Sequence, residues 1–220
     1  MNGLLERWHT FLERTGDKWS CTDKSYGVLS ETYSEPRRFY HTLEGHIAAC
    51  IRELDSVFAA NSPLAVEAAL WTHDARRDET ESIEWMKDFF RKLWLPESLI
   101  DEVGLLIEIT RHTDLPHKML FTKDGRKREY DYLLDTHAGI VADIDLSIFG
   151  KSEAEFDEYE RLVRKEYPAV PENIFREKRA NILERFLERK CIYNHRLFQE
   201  KYEIMARKNL TRSIGKLRSR

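Results

Sequence analysis

Apolar residues recur at three- and four-residue intervals along almost the whole chain, and that spacing restricts it to packed helices. Leu4, Leu5, Trp8, Phe11 and Leu12 make one such face, and Ile47, Cys50, Ile51, Leu54 and Phe58 make another over about 44–60. Ser62-Pro63 reads as an N-cap followed by proline in the first turn, opening a helix through Ala65, Val66, Ala68, Ala69 and Leu70. Residues 83–93 form a further helix, and Leu95-Pro96-Glu97 restarts the chain into Ile100, Val103, Leu106, Ile107 and Ile109. The stretch 133–149 is again apolar, and Ser152 with Glu155 makes a capping box for a helix carrying Phe156, Tyr159 and Val163. Beyond Pro168 and Pro171, residues 174–192 and 198–210 carry two more helices. Residues 114–128, with Asp114, Pro116, Asp124 and Gly125, read as a loop. No useful length of Val, Ile or Thr alternates with polar residues, so an all-α bundle of about eight to ten helices is expected.

Nine glycines and six prolines among 220 residues, with no Gly/Ser linker and no internal repeat, argue for a single domain over 1–220. Its core falls at about 36–150, with C-terminal helices over about 151–210. Thirty-six basic residues against 39 acidic ones leave a net charge of −3, which gives no global attraction to nucleic acid or anionic membrane. Arg207, Lys208, Arg212, Lys216, Arg218 and Arg220 concentrate at the tail and read as a solvated, fraying helix end. Cys21, Cys50 and Cys191 have no metal-binding spacing, and without a signal peptide they imply reduced thiols in a cytoplasmic protein. No apolar run approaches the roughly 18 residues that span a bilayer. Trp71, Trp85 and Trp94 are placed in the core by helical spacing, and exposed aromatics on the late helices leave room for a homodimer.

Against this apolar background, Ala68-Ala69-Leu70-Trp71-Thr72-His73-Asp74 ends a core helix on an imidazole beside a carboxylate. A carboxylate among apolar neighbours costs several kcal/mol unless paired or coordinated. Alone, the pair reads as a helix cap beside a surface histidine. It has company in Tyr40-His41-Thr42-Leu43-Glu44-Gly45-His46-Ile47 and in Val141-Ala142-Asp143-Ile144-Asp145-Leu146. Two imidazoles, His46 and His73, with two carboxylates, Asp74 and one of the later pair, would form a mixed N/O site. Such a site suits Mn, Mg, Fe, Co or Ni rather than a thiolate zinc centre. Asp145 is the favoured fourth ligand, since Asp143 at i−2 faces away on a helix and reads as support or a cap.

The order His, His-Asp, Asp resembles the HD superfamily. The surrounding text resembles its branch of predicted metal-dependent HD phosphohydrolases: Arg38-Phe39-Tyr40-His41-Thr42-Leu43, Leu70-Trp71-Thr72-His73-Asp74-Ala75 and Asp143-Ile144-Asp145-Leu146-Ser147-Ile148-Phe149-Gly150. A tail with Tyr159, Arg164-Lys165-Glu166-Tyr167, Arg179 and Ala206-Arg207-Lys208-Asn209-Leu210 extends the likeness over nearly the whole chain. The resemblance implies an HD-type helical bundle and hydrolysis of a small phosphate ester, with nucleotides among the candidates. It implies one or two divalent metal ions as cofactor, metal held by His46, His73, Asp74 and Asp145, and no specific nucleic-acid partner. Asp74 would also bridge to a second ion if one is present.

Tyr40-His41-Thr42 and His46 are similar to the YHNxxHA motif of cyclic-nucleotide phosphodiesterases, which implies that His41 protonates the leaving oxygen. The two histidines are five apart where four is expected, with Gly45 as the extra residue. Five positions on a regular helix turn about 500°, against about 400° for an i,i+4 pair, so either the helix begins after Gly45 or a bulge realigns the rings. His112, ending the apolar helix 97–109, is offered as a further catalytic group, a second-metal ligand or a phosphate contact, or as a hydrogen-bonded helix end. Arg37, Arg38, Arg76 and Arg77 are candidates for an anionic substrate, as are His117, Lys118, Lys123, Arg126, Lys127 and Arg128 on the loop. His9, His137 and His195 read as structural or exposed. The rivals to an enzyme are a metal- and nucleotide-binding module without turnover and a helical protein with ordinary buried polar groups.

Overall fold

Every residue from Ala65 to Thr72 is buried, so helix α4 (Leu64–Thr72) lies inside the molecule rather than along its surface. The computed structural model that places it describes residues 2–16, 22–58, 61–112, 118–121, 127–130 and 136–219, and only the backbone of 118–121 and 127–130. Around α4 run α1 (Asn2–Arg14), α2 (Thr22–Tyr33) and α3 (Ala48–Phe58), the last entered through a π turn at Leu43–Ile47. They are followed by α5 (Glu79–Lys92), α6 (Glu97–Ile109) and α7 (Thr136–Asp145), which runs on into a 3₁₀ turn at Leu146–Gly150. Helices α8 (Glu153–Glu166), α9 (Glu172–Glu188) and α10 (Arg196–Arg218) complete the bundle. Among the described residues the fold is all-α apart from one antiparallel pair of strands. Helix α4 packs on α3, α6 and α7, while α10 packs on α9 and on the 3₁₀ turn. No described helix is long and apolar enough to cross a membrane.

Polar anchors fix α4 at both ends. Glu67, fully buried, takes Arg7 on one oxygen and Arg14 on the other, each at 2.7 Å, and so ties α1 to α4. Ser62 does not cap the helix as its position suggests. Pro63 precedes the first turn, and the Ser62 hydroxyl donates to Glu67 at 2.8 Å. At the other end the Tyr33 hydroxyl donates to the Trp71 carbonyl at 2.9 Å. Arg38 reaches the carbonyls of Asp74 and Ala75 at 2.7 and 3.0 Å. Carbonyls left over at a helix C-terminus are thereby satisfied, and the His73–Asp74 turn is held in place.

Several local expectations change. The stretch 114–128, read as loop, overlaps an antiparallel pair, β1 (Lys118–Phe121) and β2 (Lys127–Tyr130), with Lys118 opposite Tyr130 and Phe121 opposite Lys127. Asp124-Gly125 in the intervening sequence is a turn-forming dipeptide and lies outside the described residues. Trp94 is 90% exposed, not core. It takes φ 55° just past α5, where the Trp94 amide donates to Arg91 O and the Leu95 amide to Phe90 O. That is the left-handed position of a helix-ending motif, so the side chain turns outward. The basic tail does not fray: Lys208 pairs with Glu153, Arg212 and Lys216 with Asp157, and Arg218 with Glu184. Cys50 and Cys191 are free thiols, and Cys21 and Arg220 lie outside the described residues.

Glu67→Ala leaves two arginines facing a buried, unpaired space. It is expected to lower the unfolding free energy by about 3–5 kcal/mol in urea denaturation, and a loss below about 1 kcal/mol would mean that the α1–α4 tie is incidental.

Candidate metal centre

Three separated segments deliver His46, His73, Asp74 and Asp145 to one point. His46 sits in the π turn, His73 and Asp74 follow α4, and Asp145 ends α7. His46 Nε2 lies 3.1 Å from His73 Nε2, 3.2 Å from Asp74 Oδ2 and 3.1 Å from Asp145 Oδ1. His73 Nε2 lies 3.2 and 3.5 Å from the same two oxygens. Edges of that length belong to a tetrahedron or octahedron whose centre is about 2.0–2.3 Å from each corner, the usual length of a divalent metal–N or metal–O bond.

The donor set has a definite polarity. His73 donates from Nδ1 to the Leu70 carbonyl at 3.2 Å, which turns the lone pair of a neutral ring toward the centre from Nε2. Both histidines are buried, so no bulk water separates these lone pairs. Burial opposes charge on His46, yet Cys50, Tyr40, Asp145 and Asp74 raise its pKa well above the ordinary histidine value. For His73, burial is outweighed by Asp74 and Asp145. The carboxyls of Asp74 and Asp145 move the opposite way: burial raises them, but the surrounding histidines hold them well below the ordinary carboxylate range. Four converging acceptors demand positive charge, and a single cation supplies it without forcing two imidazolium rings together.

Cys50, one turn after His46, completes a buried His46, Cys50 and His73 group whose ligand atoms lie within 4.8 Å of one another and could hold a metal ion. The search for cysteine-to-cysteine spacings passed over it; the i,i+4 relation to His46 is the signal. Its sulfur is 3.8 Å from both ring nitrogens of His46. The carboxylate oxygens of Asp74 and Asp145 come closer to His46 Nε2, at 3.2 and 3.1 Å.

The extra residue between His41 and His46 is absorbed by the π turn. The Ile47 amide donates to Thr42 O, and the Ala48 amide to Leu43 O, both i to i−5. Gly45 is required there, because a Cβ would lie 2.6 Å from Thr42 Oγ1 and 3.2 Å from the Tyr40 carbonyl. The helix therefore does not wait for Gly45, and the bulge leaves the His41 and His46 ring centres 5.6 Å apart.

Glu166, at the end of α8, is the residue that the reading of motifs missed as a working part. Its Oε1 accepts the amides of Phe39, Tyr40 and His41 at 2.7, 2.8 and 3.0 Å, and its Oε2 lies 2.6 Å from His41 Nδ1. Burial raises the Glu166 carboxyl, but His41 and these amides hold it down at about 2. With Nδ1 so engaged, His41 presents Nε2 as its free ring nitrogen.

His112 does not stand apart as an independent group: its Nε2 lies 2.7 Å from Asp145 Oδ2, and its buried Nδ1 has no partner among the described residues. It holds φ 49°, a left-handed conformation that costs a non-glycine residue about 1–2 kcal/mol. Asp143 stays out of the cluster. It accepts the Asn194 and His195 amides, each at 2.7 Å, and anchors the approach to α10. Burial pushes its carboxyl up to about 6 against the pull of those hydrogen bonds. His9 meets Asp23, His137 meets Glu102, and His195 Nε2 meets the Thr136 carbonyl.

A cavity of about 680 Å³ opens on His46, Asp74 and Asp145. Arg38 is taken up by the His41, Asp74 and Ala75 carbonyls, and Arg76 donates to the Ala75 carbonyl and lies over Trp85. His117, Lys123 and Arg126 lie outside the described residues, as do the side chains of Lys118, Lys127 and Arg128. Among known proteins, no family model, no curated protein and no solved structure matches the chain.

Glu166 contributes stability that is complete above the ordinary value of 4.5 and lost as the pH falls through about 2. Glu166→Gln is expected to be less stable than the wild type at pH 7 and to show a shallower decline across that acid window, measured by denaturation at several pH values. Parallel curves for the two proteins would remove Glu166 from the account.

Proposed function

We propose that the chain is a metal-dependent phosphohydrolase of the HD type, which hydrolyses a small phosphate ester at a centre made by His46, His73, Asp74 and Asp145. One observation carries the reading: four lone-pair-bearing atoms from three separated segments meet at 3.1–3.5 Å in all five measured separations. Nitrogen and carboxylate oxygen in equal number favour Mn, Fe, Co, Ni or Mg over a thiolate-bound ion. The order of the ligands in the sequence, together with their convergence, supports the likeness to HD phosphohydrolases.

A divalent ion held there supplies Lewis acidity, lowering the pKa of water toward neutrality and offsetting charge on the phosphoryl group. The chain does the rest. His112 fixes one oxygen of Asp145 and leaves the other for the centre. Leu70 O fixes the tautomer of His73. Glu166 accepts a hydrogen bond from His41 Nδ1, which leaves Nε2 to hold a proton for the departing oxygen, a contribution of about 10²–10⁴-fold. Arg38 locks the His41 segment to the His73–Asp74 turn, so that acid and ligands keep their spacing.

The test is a panel of phosphomonoesters, nucleotides and cyclic dinucleotides assayed with Mn²⁺ or Mg²⁺, alongside metal analysis of untagged protein. His73→Ala and Asp74→Ala are expected to lose bound metal and turnover together, while His41→Ala keeps the metal and loses about 10²–10⁴-fold in rate. Full turnover by a metal-free His73→Ala/Asp74→Ala protein would end the reading; metal binding with no turnover on any ester would make it a binding module.

A further inference from the structure

The charge lining the cavity exceeds what a single phosphate monoester would need. Beyond the metal ligands, two of the acids on its wall are engaged, Glu79 with Arg111 and Glu166 with His41, while Glu35, half exposed, lies 3.6 Å from Arg38. Asp74 and Asp145 would be neutralised by one divalent ion at the centre. Three arginines remain. Arg37 precedes the histidine motif, Arg77 follows the His73–Asp74 turn, and Arg185 comes from α9. All three line the cavity, all are exposed, and none makes a hydrogen bond or ion pair among the described residues.

A lone exposed arginine is ordinary surface. Three from separate segments, facing one cavity and opposed among its described lining residues by one loosely paired carboxylate, Glu35, form a focused positive field. Guanidinium groups meet phosphate oxygens bidentately, and here no existing ion pair has to break first. The volume of about 680 Å³ falls in the range that takes ligands far larger than orthophosphate.

We infer that the substrate carries at least one phosphate group beyond the one attacked, as in an ester of a linear di- or triphosphate, and that Arg37, Arg77 and Arg185 hold the additional phosphate. The inference rests on the metal-centre reading for which phosphate reacts; the arginine contacts are testable without turnover.

Calorimetric titration of the purified protein with tripolyphosphate and with orthophosphate, metal content being measured before and after, makes the test. Wild-type protein is expected to bind tripolyphosphate at least about tenfold more tightly than orthophosphate, with a preference that weakens as salt is raised. Arg37→Ala/Arg77→Ala/Arg185→Ala should abolish that preference without altering the melting temperature, since these side chains make no hydrogen bond or ion pair among the described residues. Equal affinities in the wild type, or a preference retained in the triple variant, would overturn the inference. With Mn²⁺-loaded protein, the triple variant should raise KM for a nucleoside triphosphate about tenfold more than it raises that for p-nitrophenyl phosphate. A tripolyphosphate preference in a protein that hydrolyses nothing would keep the arginine site and discard the hydrolytic reading.

Discussion

Electrostatic repulsion among four acceptors in a buried space is the constraint to which the rest of the molecule answers. His46 and His73 bring their Nε2 atoms within 3.1–3.5 Å of each other and of one carboxylate oxygen each from Asp74 and Asp145. In low dielectric such an arrangement costs several kcal/mol unless positive charge fills it. Protons on the rings are one source of that charge, and the raised histidine and lowered carboxyl pKa values express the same demand. A divalent cation is the other source, and it satisfies all four atoms at once.

Holding four such groups together requires rigid support, and the fold provides it from unrelated parts of the chain. Glu67 and its two arginines fix one end of α4, while Tyr33 and Arg38 fix the other. The π turn spends an extra residue to aim His46 inward while keeping His41 beside it. Glu166 reaches back from α8 to the amides of residues 39–41, so the C-terminal helices complete one wall of the site rather than merely following the core. Asp143 does the complementary task, turning away from the His46, His73, Asp74 and Asp145 cluster to anchor the chain entering α10.

Much of this was legible in the sequence where side-chain spacing carries the information. The helices around Ile51, Leu70, Ile107 and Phe156 follow from three- and four-residue periodicity, and the Ser152–Glu155 capping box is present as read. The separation of Asp145 from Asp143 follows from the turn per residue of a helix. Long-range partners were not legible. Nothing local says that Glu166 will meet His41, that His112 will meet Asp145, or that Cys50 will lie against His46, because those meetings depend on how helices cross. Trp94 was misplaced for a related reason: periodicity extrapolates a helix past its end, whereas a left-handed residue there swings the side chain into solvent. Gly45 marked the irregular turn, but only backbone hydrogen bonds distinguish a bulge from a late start.

Anomalous X-ray scattering from crystals grown with Mn²⁺ examines the centre most directly. The account predicts one strong peak between the imidazole Nε2 atoms of His46 and His73 and one carboxylate oxygen each from Asp74 and Asp145, at about 2.0–2.3 Å from each. Ordered solvent there with no anomalous signal at millimolar Mn²⁺, or a peak bound elsewhere on the protein, would contradict it.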